Sequence, residues 1–182
     1  MPKGLTRNSS PIQVSASIAE SAANTFTTRE IDLTLNALDQ EVFVVTQVNI
    51  DLSPPTLQDQ QAKSSVVCTI SSTARSTVGS IADSNVIAQS RKDIQVIASV
   101  VQPPTVPPTQ NFGVAVFDRE DPLFAAMDED YIGIIATSNC HLNLQGSGND
   151  DAMGASVRVY GYRAKMDAAG YAALVQSQVL SA

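Results

Sequence analysis

The stretch Ile132-Gly133-Ile134-Ile135-Ala136-Thr137-Ser138-Asn139-Cys140-His141-Leu142-Asn143-Leu144-Gln145 alternates in character with a period of two. Ile132, Ile134, Ala136, Cys140, Leu142 and Leu144 fall on one side, with Ser138 the single break. Thr137, Asn139, His141, Asn143 and Gln145 fall on the other. Successive side chains of a strand point to opposite faces, so the pattern predicts a half-buried β-strand. The turn-rich Gly146-Ser147-Gly148-Asn149-Asp150-Asp151 follows. A second alternating run then sets Ala155, Val157, Val159 and Gly161 against Arg158, Tyr160 and Tyr162. The two runs and the turn between them read as an antiparallel hairpin.

The same pattern recurs upstream. Ile31, Leu33 and Leu35 share a face. Val42, Val44, Val48, Ile50 and Leu52 form the next, interrupted by Thr46, in a strand ended by Ser53-Pro54-Pro55; proline cannot donate to a ladder. Val66, Cys68 and Ile70 make a third strand. Ile94, Val96, Ala98 and Val100 make a fourth, which stops at the stiff, polyproline-like Pro103–Pro108 stretch. Phe112, Val114 and Val116 make a short fifth. Residues 76–90 fit a short helix with Val78, Ile81, Ala82 and Ala88 on one side and Ser80 as cap. Asp121-Pro122 reads as a helix start, with Leu123–Met127 as its first turns. From Asp167 the period becomes helical, with Tyr171, Leu174, Val175, Gln178 and Val179 as the stripe.

About eight short strands separated by polar, proline- and glycine-rich loops predict a mainly β domain. The expected form is an antiparallel β-sandwich, a single jelly roll, with one or two short helices and a short C-terminal helix. Three regions are expected: an extended polar arm over 1–27, the sandwich over 28–165, and a C-terminal helix or tail over 166–182. The arm is rich in Ser, Thr, Asn and Ala and has too few apolar residues to build a core. It is therefore expected to be held by a neighbouring subunit. The terminal stripe must cover either the sandwich or a neighbour, because left in water it is an exposed apolar patch. A helix running to the chain end favours the neighbour.

Composition narrows the function. Only 16% of the 182 residues are charged and the net charge is -7. A disordered acidic tail or a coiled coil needs far more charge, and an acidic surface repels phosphate. The two cysteines, Cys68 and Cys140, fall on apolar strand faces and read as buried free thiols. Lys3 and Arg7 are followed by no apolar leader core, and no run reaches membrane-span length. A soluble protein made in a reducing cytoplasm is expected, with no membrane partner.

No P-loop, dinucleotide fingerprint, G-x-S-x-G or zinc spacing occurs. His141, the only histidine, neighbours Cys140, but adjacent strand residues point apart and cannot share a ligand sphere. Asp118, Glu120, Asp121, Asp128, Glu129 and Asp130 fit a solvated face better than a calcium site, since EF-hand spacing is absent. Pro104-Thr105-Val106-Pro107 fits a rigid loop. Tyr160 and Tyr162 beside Arg158 fit an interface or ordinary cross-strand packing. The expectation is a protein that is not an enzyme and has no cofactor, metal or catalytic residue. Tyr160, Tyr162, Tyr171, Leu174, Val175 and Val179 are assigned to a subunit interface.

The polar arm, the strand-rich body and the short C-terminal element together resemble the small single jelly-roll capsid proteins of icosahedral viruses. The ending Arg163-Ala164-Lys165-Met166 into Tyr171-Ala172-Ala173-Leu174 resembles the C-termini of virion proteins of marine microbial viruses. The resemblance implies a self-assembling shell subunit in the virion, made in the host cytoplasm, whose partners are copies of itself and other virion proteins. Genome-facing arms of such coats are far more basic than this one, which leaves nucleic-acid contact without support. Two other classes stand beside it. A virion decoration or carbohydrate-binding sandwich needs a concave aromatic patch, and the chain has no Trp. A hydrolase needs paired carboxylates or a metal triad in a cleft.

Overall fold

A computed structural model describes residues 4–56, 63–101, 109–120, 123–124 and 131–180. The strands in chain order are β1 (Leu5–Arg7), β2 (Ile12–Ala19), β3 (Thr27–Asp32), β4 (Glu41–Leu52), β5 (Lys63–Ser71), β6 (Val86–Val101), β7 (Thr109–Glu120), β8 (Leu123–Phe124), β9 (Gly133–Ile135), β10 (Asn139–Ser147) and β11 (Gly154–Met166), followed by helix α1 (Ala168–Leu180). They make two antiparallel sheets. In the first, β11 lies between β4 and the end-to-end pair β1 and β2, while β8 and β9 add to the far side of β4. The second has the order β3-β10-β5-β6-β7.

The pairing is nested. β2 joins β11 and β4 joins β9 in the first sheet; β3 joins β10 and β5 joins β6 in the second. One long antiparallel hairpin, rolled so that successive strand pairs fall in opposite sheets, gives this order. It is the jelly-roll form of the β-sandwich. β7 is an addition, folded back along β6.

The rolling corrects several expectations. The 132–145 run is not one strand: Ser138 marks the crossover, with β9 in the first sheet and β10 in the second. Nor do β10 and β11 form a hairpin, because their turn-rich connection passes between the sheets. Two strands facing each other across a sandwich alternate as hairpin strands do, so the pattern alone cannot separate the cases. The 1–27 segment is not an arm without a sheet of its own: β1 and β2 are strands of the first sheet, both paired with β11. Ile12, Val14, Ala16 and Ile18 pack on the core from the edge strand β2, and the Asn8 amide donates to the Arg163 carbonyl at 3.0 Å. An edge strand needs only one apolar face, and the interleaved serines disguised it. The sandwich therefore begins near Leu5.

Residues 73–85 form turns rather than a helix, and β6 already begins at Val86. This loop lies over the outer face of the second sheet. It is fastened by the Ser71 hydroxyl donating to the Thr73 carbonyl at 2.8 Å and Asn85 Nδ2 donating to Thr73 Oγ1 at 2.8 Å. Leu123–Phe124 is strand β8 rather than the start of a helix. Asp121-Pro122, residues 125–127 and the Pro103–Pro108 stretch lie outside the described residues.

The β4 face also changes partway. Tyr160 pairs with Gln47 and Gly161 with Val45, so Thr46 is an extra residue, a β-bulge. Its hydroxyl donates to the Tyr160 carbonyl at 3.2 Å. Before the bulge Phe43 and Val45 point into the space between the sheets; after it Val48 and Leu52 do. There they meet Val66, Cys68, Ile70, Cys140, Leu142 and Leu144 of the second sheet. Each such aliphatic side chain, fully buried, contributes about 1.5–3 kcal/mol. Val42 and Val44, expected on the face of Val48, point the other way into a second cluster.

Candidate functional site

That second cluster decides where the assigned interface residues go. It lies on the outside of the first sheet and contains Leu5, Val42, Val44, Ala136, Tyr162 and Ala164. Helix α1 covers it with Tyr171, Leu174 and Val175. Asp167 starts the helix, its Oδ1 accepting from the Gly170 amide at 2.6 Å. Gln178, buried, fastens the far end: its Nε2 donates to the Ile134 carbonyl at 2.8 Å, and its Oε1 accepts from the Ala136 amide at 3.2 Å. The Arg7 guanidinium sits 4.6 Å from the centre of the Tyr162 ring, a cation–π contact over the end of the cluster.

The helix thus docks on its own sheet, not on a neighbour as the sequence suggested. Tyr162, Tyr171, Leu174 and Val175 are brought together inside the subunit. Tyr160 lies apart on the same sheet face, and Val179 is 61% exposed. The periodicity marked Tyr171, Leu174, Val175 and Gln178 but wrongly added Val179, and it could not name the acceptor, because the outer face of a jelly-roll sheet reads as solvent-facing. Leu174→Asp should therefore destabilise the isolated subunit by about 2–3 kcal/mol through lost packing and a desolvated charge. Urea unfolding followed by circular dichroism measures it; unchanged stability would place the helix elsewhere.

The rest of that outer face is open. Past α1, three cross-strand rows lie side by side: Gln13, Tyr160 and Gln47; Ser15, Arg158 and Asn49; Ser17, Ser156 and Asp51. The Arg158 guanidinium donates to the Tyr160 hydroxyl at 3.5 Å, and Gln47 Nε2 donates to Asn49 Oδ1 at 2.9 Å. Sequence reading found Tyr160 and Arg158 but missed Gln13, Ser15 and Ser17 beside them, because β2 was not recognised as a strand.

A cleft of about 1030 Å³ is lined from both sheets and includes Arg29, Asp51 and Lys92. Both cations are engaged. Arg29 donates to the Ser17 carbonyl; Lys92 Nζ donates to the Leu52 carbonyl at 3.2 Å and lies 3.6 Å from an Asp118 carboxylate oxygen. Of the acidic group, Asp118 and Glu120 end β7, while Asp121, Asp128, Glu129 and Asp130 lie outside the described residues. Among the described residues no group of three His, Cys, Asp or Glu side chains is placed to hold a metal. Among them, too, no helix is long and apolar enough to cross a membrane.

Cys68 and Cys140 are both fully buried and unbridged, as expected. His141 lies on the opposite face of β10, its register partners Glu30 and Ser71. Burial pushes each thiol up from its ordinary 9.0 to about 12. A raised folded value means that the stabilising contribution is complete below pH 9 and is lost as the pH climbs through 12. Thiol labelling should be slow in the native protein at neutral pH and fast after unfolding. Rapid native labelling of either cysteine would contradict the packing.

The loop between β10 and β11 is held by a group of buried polar side chains. Glu20, 5% exposed, accepts from the Gly146 amide at 2.6 Å and from the Met153 amide at 2.9 Å. Asn149, fully buried, accepts from the Thr56 amide at 3.0 Å and donates to the Ser65 carbonyl at 2.9 Å. These bonds lock the crossover between the sheets. They satisfy donors that burial would otherwise leave unpaired, and make this end of the sandwich a rigid corner. No protein-family model matches the chain, and no curated protein matches it.

Proposed function

We propose that the chain is a virus structural protein, a self-assembling capsid subunit that acts through subunit–subunit association. The observation that carries this reading is the nested strand order, a rolled hairpin of eight paired positions in a small domain. A jelly roll of this kind is a wedge with rigid corners, and copies of it tile closed symmetric shells. The step from fold to shell is an analogy of architecture, since one fold serves many functions. The polar plateau around Tyr160 and Arg158 supports it as a face suited to contact: tyrosine and arginine are enriched at interfaces. On this reading the protein resides in the virion, is made in the host cytoplasm, and has copies of itself and other virion proteins as partners.

Sedimentation velocity on the purified chain tests the proposal. Species of many subunits, forming reversibly with concentration or salt, are expected. A single species of monomer mass under every condition would overturn it.

A further inference from the structure

Two hollows along the first sheet run into one another. The cleft of about 1030 Å³ shares Ser17, Arg29, Asp51 and Ser156 with a second hollow of about 760 Å³, which adds Ser15, Asn49 and Arg158. The cross-strand row Ser17, Ser156 and Asp51 is common to both, and the row Ser15, Arg158 and Asn49 continues it along the strands. Arg29 reaches in from β3 of the second sheet, its guanidinium held by the Ser17 carbonyl.

The charge here runs against that of the chain. The whole protein carries -7, yet the described residues around the second hollow include two arginines, Arg29 and Arg158, and a single carboxylate, Asp51. The ion pairs among the described residues use Arg75, Arg91, Lys92 and Lys165, so neither of these arginines is neutralised by an acid. Each gives a hydrogen bond to an uncharged oxygen instead: Arg29 to the Ser17 carbonyl, Arg158 to the Tyr160 hydroxyl at 3.5 Å. Most of each five-donor guanidinium fork stays open. The Ser17 carbonyl also orients Arg29 in advance, so less side-chain freedom is lost when an anion arrives.

We propose that the joined hollows bind an acidic oligosaccharide, a sugar chain bearing carboxylate or sulfate groups. Each part of the lining meets one part of such a ligand. An arginine fork takes the oxygens of a carboxylate or sulfate in two parallel hydrogen bonds. The hydroxyls of Ser15, Ser17 and Ser156 and the amide of Asn49 both donate and accept, as ring hydroxyls do. Asp51, as a carboxylate, only accepts, so it suits a sugar O–H donor. Tyr160, beside Arg158, adds an aromatic face with a polar tip at the rim. The same features disfavour a nucleic acid, which would bring a dense row of phosphates against Asp51 and a net charge of -7. A sugar chain sets hydroxyl donors between its charges. A monomer suffices for this binding, which therefore stands apart from the self-association reading.

Isothermal titration calorimetry of the full chain tests this with four probes: a heparin-derived oligosaccharide, an oligogalacturonate, a neutral maltooligosaccharide and a single-stranded DNA oligonucleotide. Saturable binding of at least one acidic sugar is expected, weakened by added salt, with no binding of the neutral one. Arg158→Gln and Arg29→Gln, made separately, should each raise the dissociation constant about tenfold, with circular dichroism unchanged. Lys165→Gln, which removes an exposed cation at the far end of β11, should bind as the parent does. Absence of saturable binding by both acidic sugars, equal binding of the neutral sugar, an equal loss in Lys165→Gln, or tighter binding of the oligonucleotide would each overturn the assignment. Binding by the free subunit that disappears on assembly would give the hollow to a subunit contact and overturn it too.

Discussion

Phe43→Ala should destabilise the fold by about 3–5 kcal/mol, the cost of emptying a well-packed aromatic site. Phe43 is 1% exposed and stands on β4 just before the bulge that turns the strand's inner face around. Its ring lies over Gly161: a Cβ placed on that glycine would meet Phe43 Cε1 at 2.6 Å and collide with the Val44 carbonyl oxygen. The missing side chain of Gly161 is thus the space the ring fills, and the pair fixes the register of the two central strands. Gly161→Val should be damaging from the opposite side, by overpacking against backbone that cannot retreat. Chemical denaturation of both variants measures the effects. A Phe43→Ala loss under about 1 kcal/mol would mean that the site collapses freely and does not set the register.

Glu20→Ala should be nearly as costly. The carboxylate accepts from the Gly146 and Met153 amides at the two ends of the crossover between β10 and β11, and both donors lose their partner when it is removed. A buried donor left unsatisfied costs about 1–3 kcal/mol, so about 2–6 kcal/mol is expected for the two. Glu20→Gln keeps one carbonyl oxygen as acceptor but sets an N–H₂ group against the other amide, so its loss should be smaller. Hydrogen exchange gives a local readout: the Gly146 and Met153 amides should exchange faster in Glu20→Ala, beyond any global change. Unchanged protection there would remove Glu20 from its structural role.

Period-two alternation made the fold class legible because strands such as β11 over 154–159 bury one face and leave the other open to solvent. Ala155, Val157 and Val159 lie where the alternation put them, and so do Cys140, Leu142 and Leu144. Connectivity was less legible. Ser138 looked like one polar slip in a long strand, although it is the crossing from one sheet to the other, and a crossing has no periodicity of its own. At Thr46 an inserted residue reversed the inner face of β4, so Val42 and Val48 appeared to belong together. β2 was hidden because its outward positions include Gln13, Ser15 and Ser17, the composition also expected of a solvated arm. The candidate contact surface was visible only in pieces. Tyr160 and Arg158 were noticed for their chemistry.

Cryo-electron microscopy of the purified chain under assembly conditions is the most direct test of the proposed role as a shell subunit. Closed, symmetric particles are expected, with density for one jelly roll per subunit, its helix α1 lying on its own first sheet. A field of dispersed monomers, or only irregular aggregates, would contradict that role.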